Sequence, residues 1–67
     1  MTQPIIDLAA AISEVRAEIA IRERIYPRWI AQNRITHGKA HFKLACLRLA
    51  LDNLLDIREQ PTLKLHA

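Results

Sequence analysis

Glycine, cysteine and aromatic residues are scarce in this sequence. Gly and Cys occur once each, and so do Phe, Trp and Tyr, in a chain of 67 residues. An all-β fold needs many tight turns and draws on aromatic pairs between strands, so this composition argues against one. The lone Cys46 rules out an intrachain disulfide, which weakly favours an intracellular protein.

Long apolar runs are also absent. No run approaches the roughly 18 residues that a membrane-spanning helix needs. The first residues, Met-Thr-Gln-Pro, lack the basic region and the apolar core of a signal peptide. We therefore expect a soluble, cytoplasmic protein that has no membrane partner.

The residues that dominate the chain are mostly helix formers. Ala, Leu, Ile, Arg and Glu are prominent, while hydrophobic residues make up 51% and charged residues 25% of the sequence, as in a folded globular chain. This composition predicts one small all-α domain that spans residues 1–67. The net charge of +3 is compatible with nucleic-acid binding but does not demand it.

Apolar residues recur at intervals of three and four along the first half of the chain. This spacing is typical of a helix that faces another helix. Pro4 suits the first helical position, with Thr2 as its cap, and Asp7 suits the first turn. We predict helix 1 over about residues 4–32. Its apolar stripe consists of Ile5, Leu8, Ile12, Val15, Ile19, Tyr26 and Trp29.

Pro27 interrupts this pattern without ending it. In a free helix an internal proline removes a backbone hydrogen bond and costs about 3 kcal/mol. Trp29 and Ile30 continue the same face, and no loop-forming residue accompanies the proline. A kink near Ile25–Tyr26 is therefore favoured, and a break into two separate helices is the alternative.

Asn33 and Thr36 predict a short turn between two helices. Asn tolerates the left-handed conformation that closes a helix, and Thr is a good helix N-cap. Arg34 and Ile35 then form a connection short enough to make the helices antiparallel. We predict helix 2 over about residues 37–58, followed by a loose tail at 60–67 because Pro61 opposes continuation.

Helix 2 carries more apolar surface than one partner helix can cover. One stripe contains Ala40 and four leucines, which we predict to form an oligomer core. A second arc lies away from this stripe. Two hairpins packed as a dimeric four-helix bundle would cover both surfaces, and folding on a heterologous partner is the competing interpretation. The four leucines are Leu44, Leu47, Leu51 and Leu54; the second arc consists of Phe42, Cys46, Leu49, Ala50 and Ile57.

Candidate catalytic and metal-binding residues are few. His37 and His41 have the i, i+4 spacing that can hold one metal ion, but two lysines lie beside them and an incidental surface pair is favoured. Cys46 has no acid–base partner at a recognisable position and is interpreted as a small buried hydrophobe. We predict no metal site, no cofactor and no enzymatic activity.

Arg22 occupies a position on the apolar stripe of helix 1. Its stem could cover apolar neighbours while the guanidinium reaches water or Glu18. Alternatively, it could form a buried ion pair across a subunit interface. The first interpretation is favoured.

Aromatic and basic residues meet near the turn. We predict that Arg24, Tyr26, Arg28, Trp29 and Arg34 bind a partner, although Tyr26 and Trp29 also belong to the packing stripe. A basic end beside aromatic residues suits an acidic protein surface or nucleic acid. A solvated end that has no partner is an equal alternative. A helix-turn-helix motif is disfavoured, because it uses two short helices that cross steeply.

The stretch Arg-Glu-Arg-Ile-Tyr-Pro-Arg-Trp-Ile-Ala-Gln-Asn-Arg-Ile-Thr, followed by Ala40 and an Ala/Leu-rich helix, resembles a group of small uncharacterised two-helix proteins of bacteriophages and prophages. Their shared pattern is an Arg-rich helix, a Tyr-Pro-basic-Trp step, a Gly-Arg turn and a second helix. The resemblance covers about residues 16–50 and departs at Asn33, where that pattern usually has Gly.

The resemblance implies phage origin more than a mechanism. Small accessory phage proteins commonly bind and redirect host proteins. The expected function is therefore to bind, and by masking to inhibit, a host protein in the host cytoplasm. A nucleic-acid-binding regulator and a structural self-assembling subunit are the alternatives.

Overall fold

The computed structural model describes residues 6–59, which form two helices and no strand. Helix α1 spans Leu8–Ala31 and helix α2 spans His37–Glu59. Five residues connect them, a length common in antiparallel helix pairs, and the two helices pack against each other. The predicted all-α hairpin is therefore confirmed.

Helix α1 begins later than the sequence predicts. Ile6 and Asp7 are not helical, so the predicted start at about residue 4 is wrong. Thr2, predicted as the cap, and Pro4 lie outside the described residues. Asp7 is the N-cap, with an extended backbone and a side-chain oxygen that accepts a 2.9 Å hydrogen bond from the Ala10 N–H. An Asp side chain at the N-cap satisfies one of the helix's free N–H groups, which explains why the helix starts here.

Pro27 lies inside α1, which continues as one helix to Ala31. The alternative of two separate helices is therefore wrong. Because Pro27 has no N–H, the carbonyl of Glu23, four residues earlier, lacks the donor that a helix normally supplies. The kink near Ile25–Tyr26 stays a prediction.

The end of α1 is a Schellman motif, which closes a helix with one left-handed residue. Asn33 has φ 58°, as its predicted role requires. The Arg34 N–H bonds to the Trp29 carbonyl at 2.8 Å, and the Asn33 N–H bonds to the Ile30 carbonyl at 3.0 Å. These two bonds satisfy carbonyls that the helix end would otherwise leave free.

Helix α2 begins after its predicted cap. Thr36 Oγ1 accepts a 3.1 Å hydrogen bond from the Lys39 N–H, and the Thr36 carbonyl accepts the Ala40 N–H. The helix ends at Glu59, one residue beyond the predicted end. The predicted tail at 60–67 lies outside the described residues.

The core between the helices is small. Among residues 6–59 only Ile12, Ile19, Tyr26 and Ala40 are buried. Most of the remaining stripe residues of α1 and the four leucines of α2 are half-buried. One side-chain hydrogen bond among the described residues joins the two helices, from Arg48 Nη2 to Glu23 Oε2.

Candidate functional site

The turn end of the hairpin carries three exposed arginines, which together with Trp29 we call the basic tip. Arg24 and Arg28 lie one helical turn apart on α1, and Arg34 lies in the connection. Within residues 6–59 none of the three forms an ion pair with a carboxylate. Their guanidinium groups are therefore available to an external acceptor.

Trp29 is held in place by two neighbours at this tip. The Arg34 guanidinium lies over the Trp29 ring, 4.9 Å from its centroid. The Tyr26 ring lies 5.8 Å from the Trp29 ring at an interplanar angle of 45°. The Schellman motif explains the first contact, because it brings the side chain after the left-handed residue back onto the last turn of the helix. An arginine thereby takes the place of the usual apolar residue.

Tyr26 does not belong to the exposed surface of the tip. Only 4% of the residue is accessible in the hairpin, so it offers little surface to a partner, and its role as a partner contact stays a prediction. Tyr26 lies one turn from Arg22 and two turns from Ile19 on the stripe that faces α2, and it fills the space between the helices there. Of the two aromatic residues, Trp29 is the one that remains half-exposed.

Arg22 is partnered within its own helix. Its Nε donates a 2.6 Å hydrogen bond to Glu18 Oε2, and its Nη1 lies 3.2 Å from the Tyr26 hydroxyl oxygen. The bond to the Glu18 carboxylate, followed by that to the hydroxyl, raises the pKa of Arg22 above its ordinary value. The interpretation that Arg22 reaches Glu18 is confirmed. The guanidinium also fixes the buried Tyr26 by its polar end.

An open depression of about 540 Å³ lies beside the connection. It is too open to exclude water, which a catalytic pocket generally must do. The depression is a shallow surface beside the tip, and its lining includes the cations Arg34 and Lys39. The residues around it are Ile30, Asn33, Arg34, Ile35, Thr36, His37 and Lys39.

A second exposed surface runs along α2. Phe42 is 67% exposed, Leu49 63% and Ile57 42%, although all three are large and apolar. Cys46 is also exposed, so its prediction as a buried residue is wrong for the single hairpin. It lies on the second arc of α2, which α1 does not reach.

The four leucines predicted as an oligomer core lie on the opposite side of α2. They share a helix face with the buried Ala40 and are half-buried in the single hairpin. They thus form the α2 side of the seam with α1. Their role as an oligomer core stays a prediction. The four are Leu44, Leu47, Leu51 and Leu54.

The two histidines that could pair on a metal, His37 and His41, are both exposed on α2. Within residues 6–59 no three His, Cys, Asp or Glu side chains lie close enough together to hold an ion. No helix in this part of the chain combines the length and the apolar character that crossing a bilayer requires.

Sequence reasoning missed one residue of the exposed arc of α2 and one ion pair between the helices. Asn53 lies within the exposed apolar arc of α2, where its Nδ2 donates a 2.9 Å bond to the Leu49 carbonyl. Asn53 follows Leu49 by four residues, so helical spacing could have placed it on the same face. Glu23 and Arg48 pair across 25 positions of sequence, and no local pattern predicts such a contact.

Comparisons with protein-family models, with curated proteins and with solved structures found no match to this chain.

Proposed function

We propose that this chain is a protein-binding module of the phage accessory type, which places its basic tip on an acidic surface of a host protein and inhibits that protein by masking it. The observation that carries the proposal is the set of three exposed arginines with no carboxylate partner in the described hairpin. The phage context comes from the resemblance of the Tyr-Pro-Arg-Trp stretch.

A protein partner fits the tip because a half-exposed Trp lies among the arginines. Trp and Arg are the residue types that contribute most often to the binding energy of protein interfaces. The Arg34 side chain is stacked on the Trp29 ring, so less conformational freedom is lost when the tip meets a partner.

Nucleic acid is the second candidate, since the same three guanidinium groups could contact phosphates. Against it, α1 and α2 have 24 and 23 residues and pack along each other as a hairpin. A helix-turn-helix motif instead presents a short recognition helix that fits the major groove. The protein-binding proposal therefore has the better geometric support.

Affinity capture from a bacterial host lysate tests the proposal. The tip variant Arg24→Gln, Arg28→Gln and Arg34→Gln should lose a host protein that the unmodified chain retains. A control variant with Arg16→Gln, Lys43→Gln and Arg58→Gln removes the same charge elsewhere and should retain it. Loss from both variants would mean that net charge, rather than the tip, holds the protein.

Mobility-shift assays with duplex DNA and with RNA separate the two candidates. The protein-binding proposal predicts no shift beyond the weak, salt-sensitive binding of any basic protein. A shift at low salt that disappears in the tip variant and persists in the control variant would favour the nucleic-acid candidate. No captured protein and no shift would remove both.

A further inference from the structure

We propose that the exposed face of α2 binds a second copy of this chain, with the two α2 helices antiparallel across a twofold axis near Leu49 and Ala50. This face of α2, which is distinct from the apolar stripe of α1, is called the apolar stripe of α2 from here on and is defined by six residues. They are Phe42, Cys46, Leu49, Ala50, Asn53 and Ile57. This surface shares no residue with the basic tip, so the inference does not rest on the proposed function.

The spacing of the stripe is compatible with a pair of identical antiparallel helices. Successive members lie four, three, one, three and four positions apart, so the pattern reads the same in both directions along the helix. An antiparallel pair of identical helices needs this property, because its twofold axis sets each position level with its mirror position in the partner. Helical periodicity gives any straight helix face this spacing, so the spacing permits a twofold pair, and the charges of α2 are what favour it.

The resulting level pairs are mostly apolar. Phe42 lies level with Ile57 of the second copy, and Leu49 lies level with Ala50. Cys46 lies level with Asn53. The Asn53 amide nitrogen donates to the Leu49 carbonyl, and the amide oxygen is an acceptor that could take the weak S–H donor of the thiol.

The charges of α2 favour the same direction. Lys39 and Lys43 lie towards its beginning, and near its end the acidic residues outnumber the single cation, Arg58, which pairs with Glu59. The acidic residues there are Asp52, Asp56 and Glu59. In an antiparallel pair the basic end of one helix lies over the acidic end of the other. A parallel pair would place like charges side by side, which is unfavourable.

The size of the surface suits a small dimer. The stripe covers 15 helical steps, or about 22 Å of helix. Phe42 and Leu49 each leave more than half of their surface exposed. In a hairpin with only four buried residues among those described, this is the largest apolar reserve on α2. Chains of this size commonly need association to complete a core.

The stripe and the seam with α1 lie roughly 135° apart around α2 at about 100° per residue. The two α2 helices would therefore lie in the middle, with the α1 helices outside them. This arrangement is an open layer of four helices. It differs from a compact four-helix bundle, where the two neighbours of each helix are about 90° apart.

Disulfide trapping tests the pairing without disrupting the fold. The variant Asn53→Cys puts a thiol level with Cys46 of the second copy. Diamide takes up the two electrons and two protons released as each disulfide forms. We expect the mass in non-reducing electrophoresis to shift from 7.7 kDa to twice that value. An intrachain disulfide is excluded, since positions 46 and 53 lie about 10 Å apart along one helix, beyond disulfide reach.

Three controls make the result decisive. The unmodified chain and the double variant Cys46→Ala, Asn53→Cys each have one thiol in the stripe and should form no covalent dimer under the same oxidation. Ser13→Cys adds a second exposed thiol on α1 and reports random collisions. A covalent dimer of the unmodified chain or of the double variant would show parallel helices and overturn the proposal. Equal dimer yield from Ser13→Cys, or no dimer from Asn53→Cys, would overturn it too.

Discussion

The Arg34 guanidinium lies 4.9 Å from the centroid of the Trp29 ring. The contact joins the first residue after the left-handed Asn33 to the last turn of the helix. It therefore belongs both to the turn and to the basic tip. Stability and binding at this end of the hairpin are coupled through one side chain.

Replacing Arg34 by Ala should destabilise the hairpin slightly. A cation stacked on an aromatic ring at an exposed site contributes about 0.5–1 kcal/mol. Chemical denaturation followed by Trp29 fluorescence measures the loss. Arg24→Ala is the control, because Arg24 is exposed and has no aromatic contact in the described residues. Equal stability of the Arg34→Ala variant and the unmodified chain would mean that the stack contributes nothing.

Asn33 should tolerate Gly but not Ala. Its φ of 58° is accessible to Gly without steric cost, whereas a β-carbon without a compensating polar group is disfavoured there by roughly 1 kcal/mol. Asn33→Gly should match or slightly exceed the stability of the unmodified chain. Asn33→Ala should lower the midpoint of thermal unfolding. The reverse order would contradict the assignment of the turn.

The pair of Glu23 and Arg48 should contribute little to stability despite linking the helices. Both side chains are 49% exposed, so solvent screens their attraction. Exposed ion pairs contribute about 0.2–1 kcal/mol in double-mutant cycles. A cycle built from Glu23→Gln and Arg48→Gln should fall in this range and shrink as salt is added. A coupling of several kcal/mol would mean that assembly buries the pair.

Leu51→Asp should unfold the hairpin itself. Leu51 lies on the seam that faces α1, and a charged group there loses apolar contacts and solvation together, at a cost of at least about 2 kcal/mol. A two-helix core has little stability in excess of this value. Far-ultraviolet circular dichroism should show loss of helix. A fully helical Leu51→Asp chain would contradict the placement of the seam.

The sequence predicts those features that depend on local residue types. Asn33 and Thr36 have side chains that favour a helix end and a helix cap, and both take these roles. The three-four spacing of apolar residues likewise identifies the faces that meet. The start of α1 escaped prediction because Thr2-Pro4 and Asp7 are both good initiation signals, and local propensity does not rank them.

Burial escaped prediction where it depends on the other helix. Tyr26 and Trp29 lie on the same stripe, yet Tyr26 is buried and Trp29 is half-exposed. Helical spacing alone does not distinguish them, because the difference depends on what α2 places opposite each ring. Cys46 was misassigned for a related reason, since an apolar residue is buried only if some element covers it. The role of the basic tip in partner binding stays a prediction.

The claim that the apolar stripe of α2 is an interface is tested most directly by the molecular mass in solution. Sedimentation equilibrium of the unmodified chain should give twice 7.7 kDa at about 100 µM, a concentration at which small interfaces associate. Leu49→Asp should shift the mass towards the monomer, and Ala20→Asp, on an exposed face of α1, should leave the dimer intact. A mass of 7.7 kDa at every concentration, with full helical content, would contradict the account.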